Sequence, residues 1–177
     1  MEKMNLLQVM KNRRSIRNYT GDRIPAEALD RILQAGLLAP SSKNVRPVEF
    51  IVVENRDTLE KLSKSKQSGS GMLADAACAI VVVGNTEKAD AWIEDCSVSM
   101  GYMLLMAETL GIGGCWVQER LRRNVQGEES GTVVREILGI PESYDVEAIL
   151  SLGIPEKVES PRSWNETEKD KIHYEKF

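Results

Sequence analysis

The sequence predicts one α+β domain with a three-layer α/β/α build, a central sheet covered by helices on both faces. Three observations carry this. Segments of helical period alternate with short β-branched runs along the chain. Ala79–Val83 is a continuous apolar run, the pattern of a strand buried on both sides. No internal repeat or linker divides the 177 residues, a length usual for one domain.

Taken in order, Asn5–Asn12 carries apolar residues at 6, 7, 9 and 10 and reads as a short helix. Pro25 opens the second helix at a first-turn position, where its missing N–H costs nothing. Leu29, Ile32, Leu33 and Leu37 repeat at helical spacing before Pro40 stops them. Phe50–Val53 is a strand, and Asp57 is expected to cap a helix carrying Leu59 and Leu62. Ser63–Gly71 lacks an apolar period and reads as a mobile loop. Asp90–Leu110 is the longest helix, apolar nearly all round, hence central or at an interface. Gly111 ends it and Cys115–Val117 begins a strand. Thr132–Leu138 is a helix stopped by Gly139 and Pro141, and Val146–Leu152 is the last core strand. From Ile154 the chain is charged, with Trp164, Ile172, Tyr174 and Phe177 as its few apolar anchors. Such a tail cannot fold alone and must lie over this domain or over a partner subunit.

A 42% hydrophobic fraction supplies a core, and a net charge of -4 argues against general affinity for nucleic acid or anionic membranes. Cys78, Cys96 and Cys115 lie far apart and His173 is the single histidine, so no zinc spacing exists and buried free thiols are expected. Met1–Asn12 does not read as a signal peptide, and no run approaches the roughly 20 apolar residues of a membrane helix. A cytoplasmic protein is expected.

Three constellations carry chemistry. Arg13, Arg14, Ser15 and Arg17 fall within five residues, and guanidinium forks match phosphate oxygens; a solvated basic turn is the plainer alternative. Ala39 to Pro47 places Pro40, Ser41, Ser42 and Asn44 on a loop suited to hydrogen bonding a planar heterocycle, though Ser, Asn and Pro are also what ordinary loops contain. Gly111-Ile112-Gly113-Gly114 follows a helix and lacks the dinucleotide-binding order, so it reads as a tight helix-to-strand turn with room for close backbone approach to a ligand. There is no serine-hydrolase elbow and no Walker A loop. With no catalytic side chain evident, an enzyme of this composition needs a cofactor.

Together these segments resemble the FMN-dependent nitroreductase family, in particular its short, single-domain members. The pieces that carry the resemblance are Arg13 to Tyr19, Ala39 to Pro47, Asp95-Cys96-Ser97 and Leu110 to Val117, from about residue 4 to residue 153. The resemblance implies a mixed, largely antiparallel sheet and a single domain over 1–177, with 154–177 a tail packed on the partner subunit. It implies a homodimer with FMN at the interface. Arg13, Arg14, Ser15 and Arg17 would hold the phosphate and ribityl end, with Arg162 as the basic residue added by the tail. Pro40, Ser41, Ser42 and Asn44 would reach the ring from the other subunit, and Trp116, Val117, Gln118 and Glu119 would pass it with a backbone N–H near N5.

The activity implied is a two-step (ping-pong) reduction of a nitroaromatic, quinone or related acceptor by NADH or NADPH. Dehalogenation, flavin fragmentation, and flavin storage or redox sensing without turnover stay open as alternatives. Three departures bear on substrate choice, one being that the chain is short and lacks the inserted helices that cover the flavin in larger members. Arg46-Pro47-Val48 stands where many relatives have Gln-Pro-Trp, and Gly101-Tyr102 stands where many have Gln-Asn.

Overall fold

The structure, a computed structural model, describes residues 5–177; of the N-terminal stretch considered above, residues 1–4 lie outside this range. Five α-helices and four strands follow one another as α1 Leu6–Asn12, α2 Ala26–Leu37, β1 Val48–Val53, α3 Arg56–Leu62, β2 Cys78–Asn85, α4 Trp92–Thr109, β3 Gly113–Gln118, α5 Ser130–Leu138 and β4 Tyr144–Gly153. The sheet has the order β1-β2-β4-β3, and every neighbouring pair is antiparallel. The parallel component among the described residues is a single bridge, Ser15 to Gly114.

The expected layers are present. β2 is buried along its whole length, and alternate residues face two separate cores. Ile80 and Val82 meet Ala148, Leu150 and Leu152 of β4, with Ile32 of α2 and Cys96, Met100 and Met103 of α4. Ala79, Val81 and Val83 meet Ile149, Leu59 and Leu62 of α3, and Val134 of α5 on the other face. β4 keeps both faces apolar through a bulge. Val82 pairs with Ala148 but Val83 pairs with Val146, so Glu147 is the extra residue, and Val146 is turned to the α3–α5 face.

Local chemistry differs from the sequence expectations at a few ends. Pro25 is the N-cap of α2, one residue before the position expected. The cap of α3 is Asn55, whose side chain accepts from the Thr58 N–H; Asp57 sits inside the first turn, where its charge favours the helix dipole. The segment 63–70 has no helix or strand, yet it is not a free loop. Ser65 and Ser70 are buried, the Ser70 hydroxyl donates to Ser63 C=O, and Gln67 N–H donates to Arg123 C=O. Gly111 and Gly139 both take left-handed φ where helices end. All three cysteines are buried free thiols, and burial pushes those of Cys78 and Cys96 up to about 12.

α4 buries one face, whereas Val98 and Tyr102 on its other side are exposed, as are Leu6, Leu7 and Met10 of α1. Beyond Gly153 the tail is anchored near residues 160–164. Arg14 donates to Ser160 C=O, Arg162 N–H donates to Lys11 C=O, and the Lys11 ammonium lies 5.0 Å from the Trp164 ring centre. Ile172, Tyr174 and Phe177 are exposed on their own chain.

Leu150 is fully buried at the centre of the α2–α4 face. Leu150→Ala is expected to lower unfolding free energy by about 2–5 kcal/mol in a urea titration. A loss below about 1 kcal/mol would contradict its place in that core.

Candidate functional site

The basic segment is laid on the edge of the sheet by the glycine turn. β3 is an edge strand, and Ile16 N–H donates to Gly114 C=O along its open side. This approach requires glycine at Gly113, where a Cβ would come within 2.8 Å of Ile16 Cγ2. The close approach expected of a ligand at the glycine run is made at Gly113 by the chain's own Arg13–Arg17 segment instead.

The structure gathers cations there. Arg13 is half-buried, and its charged form is disfavoured first by desolvation and next by the neighbouring Arg162, with Arg14 adding to the repulsion; Glu108 offsets part of this. Arg162, from the tail, lies close enough to Arg13 to act on its charge. Arg17, Lys66 and Arg13 all lie around the buried Cys115 thiol, which burial raises and these cations partly restore. Lys66 is a residue that sequence reasoning missed. It reaches from the 63–70 segment to β3, where its ammonium donates to Gln118 C=O at 3.1 Å, and burial lowers its pKa.

Between the two occupied carbonyls, β3 presents an open edge. In the antiparallel ladder alternate residues turn their backbone groups to the same side. Ile16 takes Gly114 and Lys66 takes Gln118, so the Trp116 peptide N–H and C=O face that side as well. The side chains here are otherwise engaged. Trp116 packs on the α4 core and donates to Gln118 Oε1 at 2.8 Å, and Gln118 donates to Glu147 Oε1 at 3.0 Å. Val117 and Glu119 are fully buried. What this strand offers a ligand is backbone.

The loop 40–46 lies elsewhere. Ser42 N–H donates to Asp95 Oδ1 at 2.8 Å, and Arg46 N–H donates to Ser41 Oγ at 2.9 Å. Lys43, Asn44 and Arg46 hold left-handed φ values of 51°, 56° and 53°, a strained run for non-glycine residues. This loop packs at the Asp95 end of α4, whereas Arg13 lies by Glu108 at the other. Thirteen residues of helix separate those two carboxylates, about 20 Å of axis. Arg13, Arg14, Ser15, Arg17 and Arg162 are brought together in one chain; Pro40, Ser41, Ser42 and Asn44 are not brought to them.

These features define an α+β domain with an anion-attracting strand edge. A profile of the Nitroreductase family matches residues 10–69 and 64–154. A provisionally named NADH dehydrogenase/NAD(P)H nitroreductase of Archaeoglobus fulgidus is 38% identical over 176 residues, 97% of this chain and 98% of that one. The solved structure of an FMN-dependent nitroreductase from Clostridium difficile R20291 is 40% identical with a TM-score of 0.94, covering 97% and 99% of the two chains. A provisionally named nitroreductase from Desulfovibrio desulfuricans, solved in complex with FMN, is 25% identical with a TM-score of 0.75 over 99% of each chain. The chain belongs to the nitroreductase family. No described helix is long and apolar enough to cross a membrane. No group of three or more metal-ligating side chains is found among the described residues.

Glu119 gives the site region a pH signature. Neither carboxylate oxygen has a hydrogen-bond partner, and burial raises its pKa from 4.5 to about 7; the nearby Ser65 hydroxyl and Lys66 ammonium hold it from rising further. A carboxyl that holds its proton more tightly when folded stabilises the fold fully below its unfolded value, and that contribution is lost as pH rises through about 7. Glu119→Gln should therefore gain on the wild type by roughly 2–4 kcal/mol between pH 4 and pH 8. Urea unfolding across that range checks this; a pH-independent difference would count against it.

Proposed function

We propose that this chain is a cytoplasmic, homodimeric FMN-dependent oxidoreductase that uses NADH or NADPH to reduce a nitroaromatic, quinone or related acceptor in two steps. The observation that carries the reading is the gathering of Arg13, Arg14, Arg17, Lys66 and Arg162 at the open edge of β3, with Glu108 and the Cys115 thiol as the groups that offset the repulsion on Arg13. Such a cluster suits a phosphate dianion better than it suits water. Each charge-assisted hydrogen bond contributes on the order of 1.5–3 kcal/mol. Several of these, with ring contacts added and ordering costs subtracted, reach the roughly 8 kcal/mol of micromolar binding.

Arg13, Arg14, Ser15, Arg17 and Arg162 hold the FMN phosphate and ribityl end in this reading, and Lys66 adds charge beside the strand. The Trp116–Glu119 edge supplies backbone N–H and C=O groups to the ring. Bound FMN supplies the hydride chemistry, which no side chain of this chain offers. The protein's part is to anchor, orient and bias charge.

Two features support a homodimer. Pro40, Ser41, Ser42 and Asn44 lie about 20 Å along α4 from the cluster, so they meet the ring only from a second copy. Exposed Val98 and Tyr102 on α4, and Ile172, Tyr174 and Phe177 on the tail, are apolar groups of the kind a subunit interface covers. Residues 154–164 hold to their own chain through Thr20, Asn18, Arg14 and Lys11, so the part of the tail that packs on the partner subunit in this arrangement is the stretch beyond Trp164.

Purified protein is expected to show flavin absorbance and to oxidise NADH or NADPH when an acceptor is present. A protein that stays colourless after FMN is added would overturn the assignment. Arg13→Ala should weaken FMN retention by roughly 10- to 150-fold, the equivalent of one such bond, with an unchanged circular dichroism spectrum. Unchanged flavin content in that variant would contradict the phosphate assignment.

A further inference from the structure

A cavity of about 280 Å³ opens beside the 40–46 loop, between the end of α2, β1 and α4. Its wall is apolar at Leu37, Pro40, Val48 and Phe50, and Arg46 is the one charged residue that lines it. An apolar cavity of about 150 Å³ is enough for benzene, so this volume holds one substituted ring. Val48 follows Pro47 directly and leaves that space open where a larger side chain would occupy it.

Arg46 is placed there at a cost. It holds a φ of 53° immediately before a proline, a combination that disfavours most residues. Two hydrogen bonds fix it, from its N–H to Ser41 Oγ and from its Nε to Asn44 Oδ1 at 3.0 Å. Both terminal nitrogens of the guanidinium are left without a protein acceptor among the described residues. No ion pair joins Arg46 to a carboxylate among the described residues; Asp95 accepts from Ser42 N–H through Oδ1, and its Oδ2 is buried without a partner. Lys43, exposed on the same loop, adds a second positive charge.

From this geometry we infer that Arg46 is a specificity-determining residue that selects acceptors built of a single aromatic or quinoid ring bearing a carboxylate. The ring lies against Leu37, Val48 and Phe50, and the free face of the guanidinium fork takes the two carboxylate oxygens. The inference rests on the FMN reading above, because the same loop is there assigned to the flavin ring.

The test uses FMN-loaded protein and two probes of the same ring, 4-nitrobenzoate and its neutral methyl ester. Binding is read from the perturbation of flavin absorbance, without turnover. Wild type is expected to bind the carboxylate at least tenfold more tightly than the ester. Arg46→Gln, compared at equal flavin occupancy, should abolish that preference by weakening carboxylate binding toward the ester Kd, and Arg46→Lys should restore part of it. Equal affinities in the wild type, or a preference that survives in Arg46→Gln, would overturn the inference and leave the FMN reading intact. A wild-type protein without flavin bands would instead overturn that reading itself, and this inference with it.

Discussion

Like charges brought together against a low-dielectric strand edge set the terms for the rest of this molecule. Arg13, Arg17 and Lys66 surround one buried thiol, and Arg162 arrives from the far end of the chain to stand beside Arg13. Burial already disfavours the charge on Arg13 and on Lys66, and the neighbours of Arg13 add repulsion. A fold that gathers cations this way is less stable alone than with an anion bound, since whatever binds only the folded state stabilises it. An anion bound among these cations would relieve that repulsion.

Every larger feature of the fold serves that edge or follows from it. The all-antiparallel order leaves β3 outermost, so its outer side is free to meet the Arg13–Arg17 segment. Gly113 permits the contact, and the bulge at Glu147 brings β4 into a position where its carbonyl receives Glu119 N–H and Arg120 N–H. α4 then sets the scale. Its length holds the strained 40–46 loop far from the cations of the same chain.

Much of the fold could be read from the sequence, because burial writes itself as period. β2 announced two covered faces by an unbroken apolar run, and α2 by its repeat at 29, 32, 33 and 37. Ends were less legible. Asn55 and Asp57 are both good capping types, and only the backbone shows which one accepts the Thr58 N–H. The cluster at 13–17 was legible because it is local, and Arg162 because resemblance pointed to the tail. Lys66 was not. Its segment is rich in Ser, Lys and Gly, the composition of a solvated loop, and nothing local signals that Ser65 is buried or that Lys66 spans to Gln118. Glu119 was named for its backbone, while its buried carboxyl became visible only once α5, β4 and the 63–70 segment had closed around it.

The cations at the β3 edge are proposed to hold a phosphate. Titration of the apo-protein with FMN and with riboflavin, which shares the ring and ribityl chain but lacks the phosphate, tests it most directly. FMN is expected to bind at least a hundredfold more tightly, a difference of about 2.7 kcal/mol or more, with rising salt narrowing the gap. Equal affinity for the two flavins would contradict it.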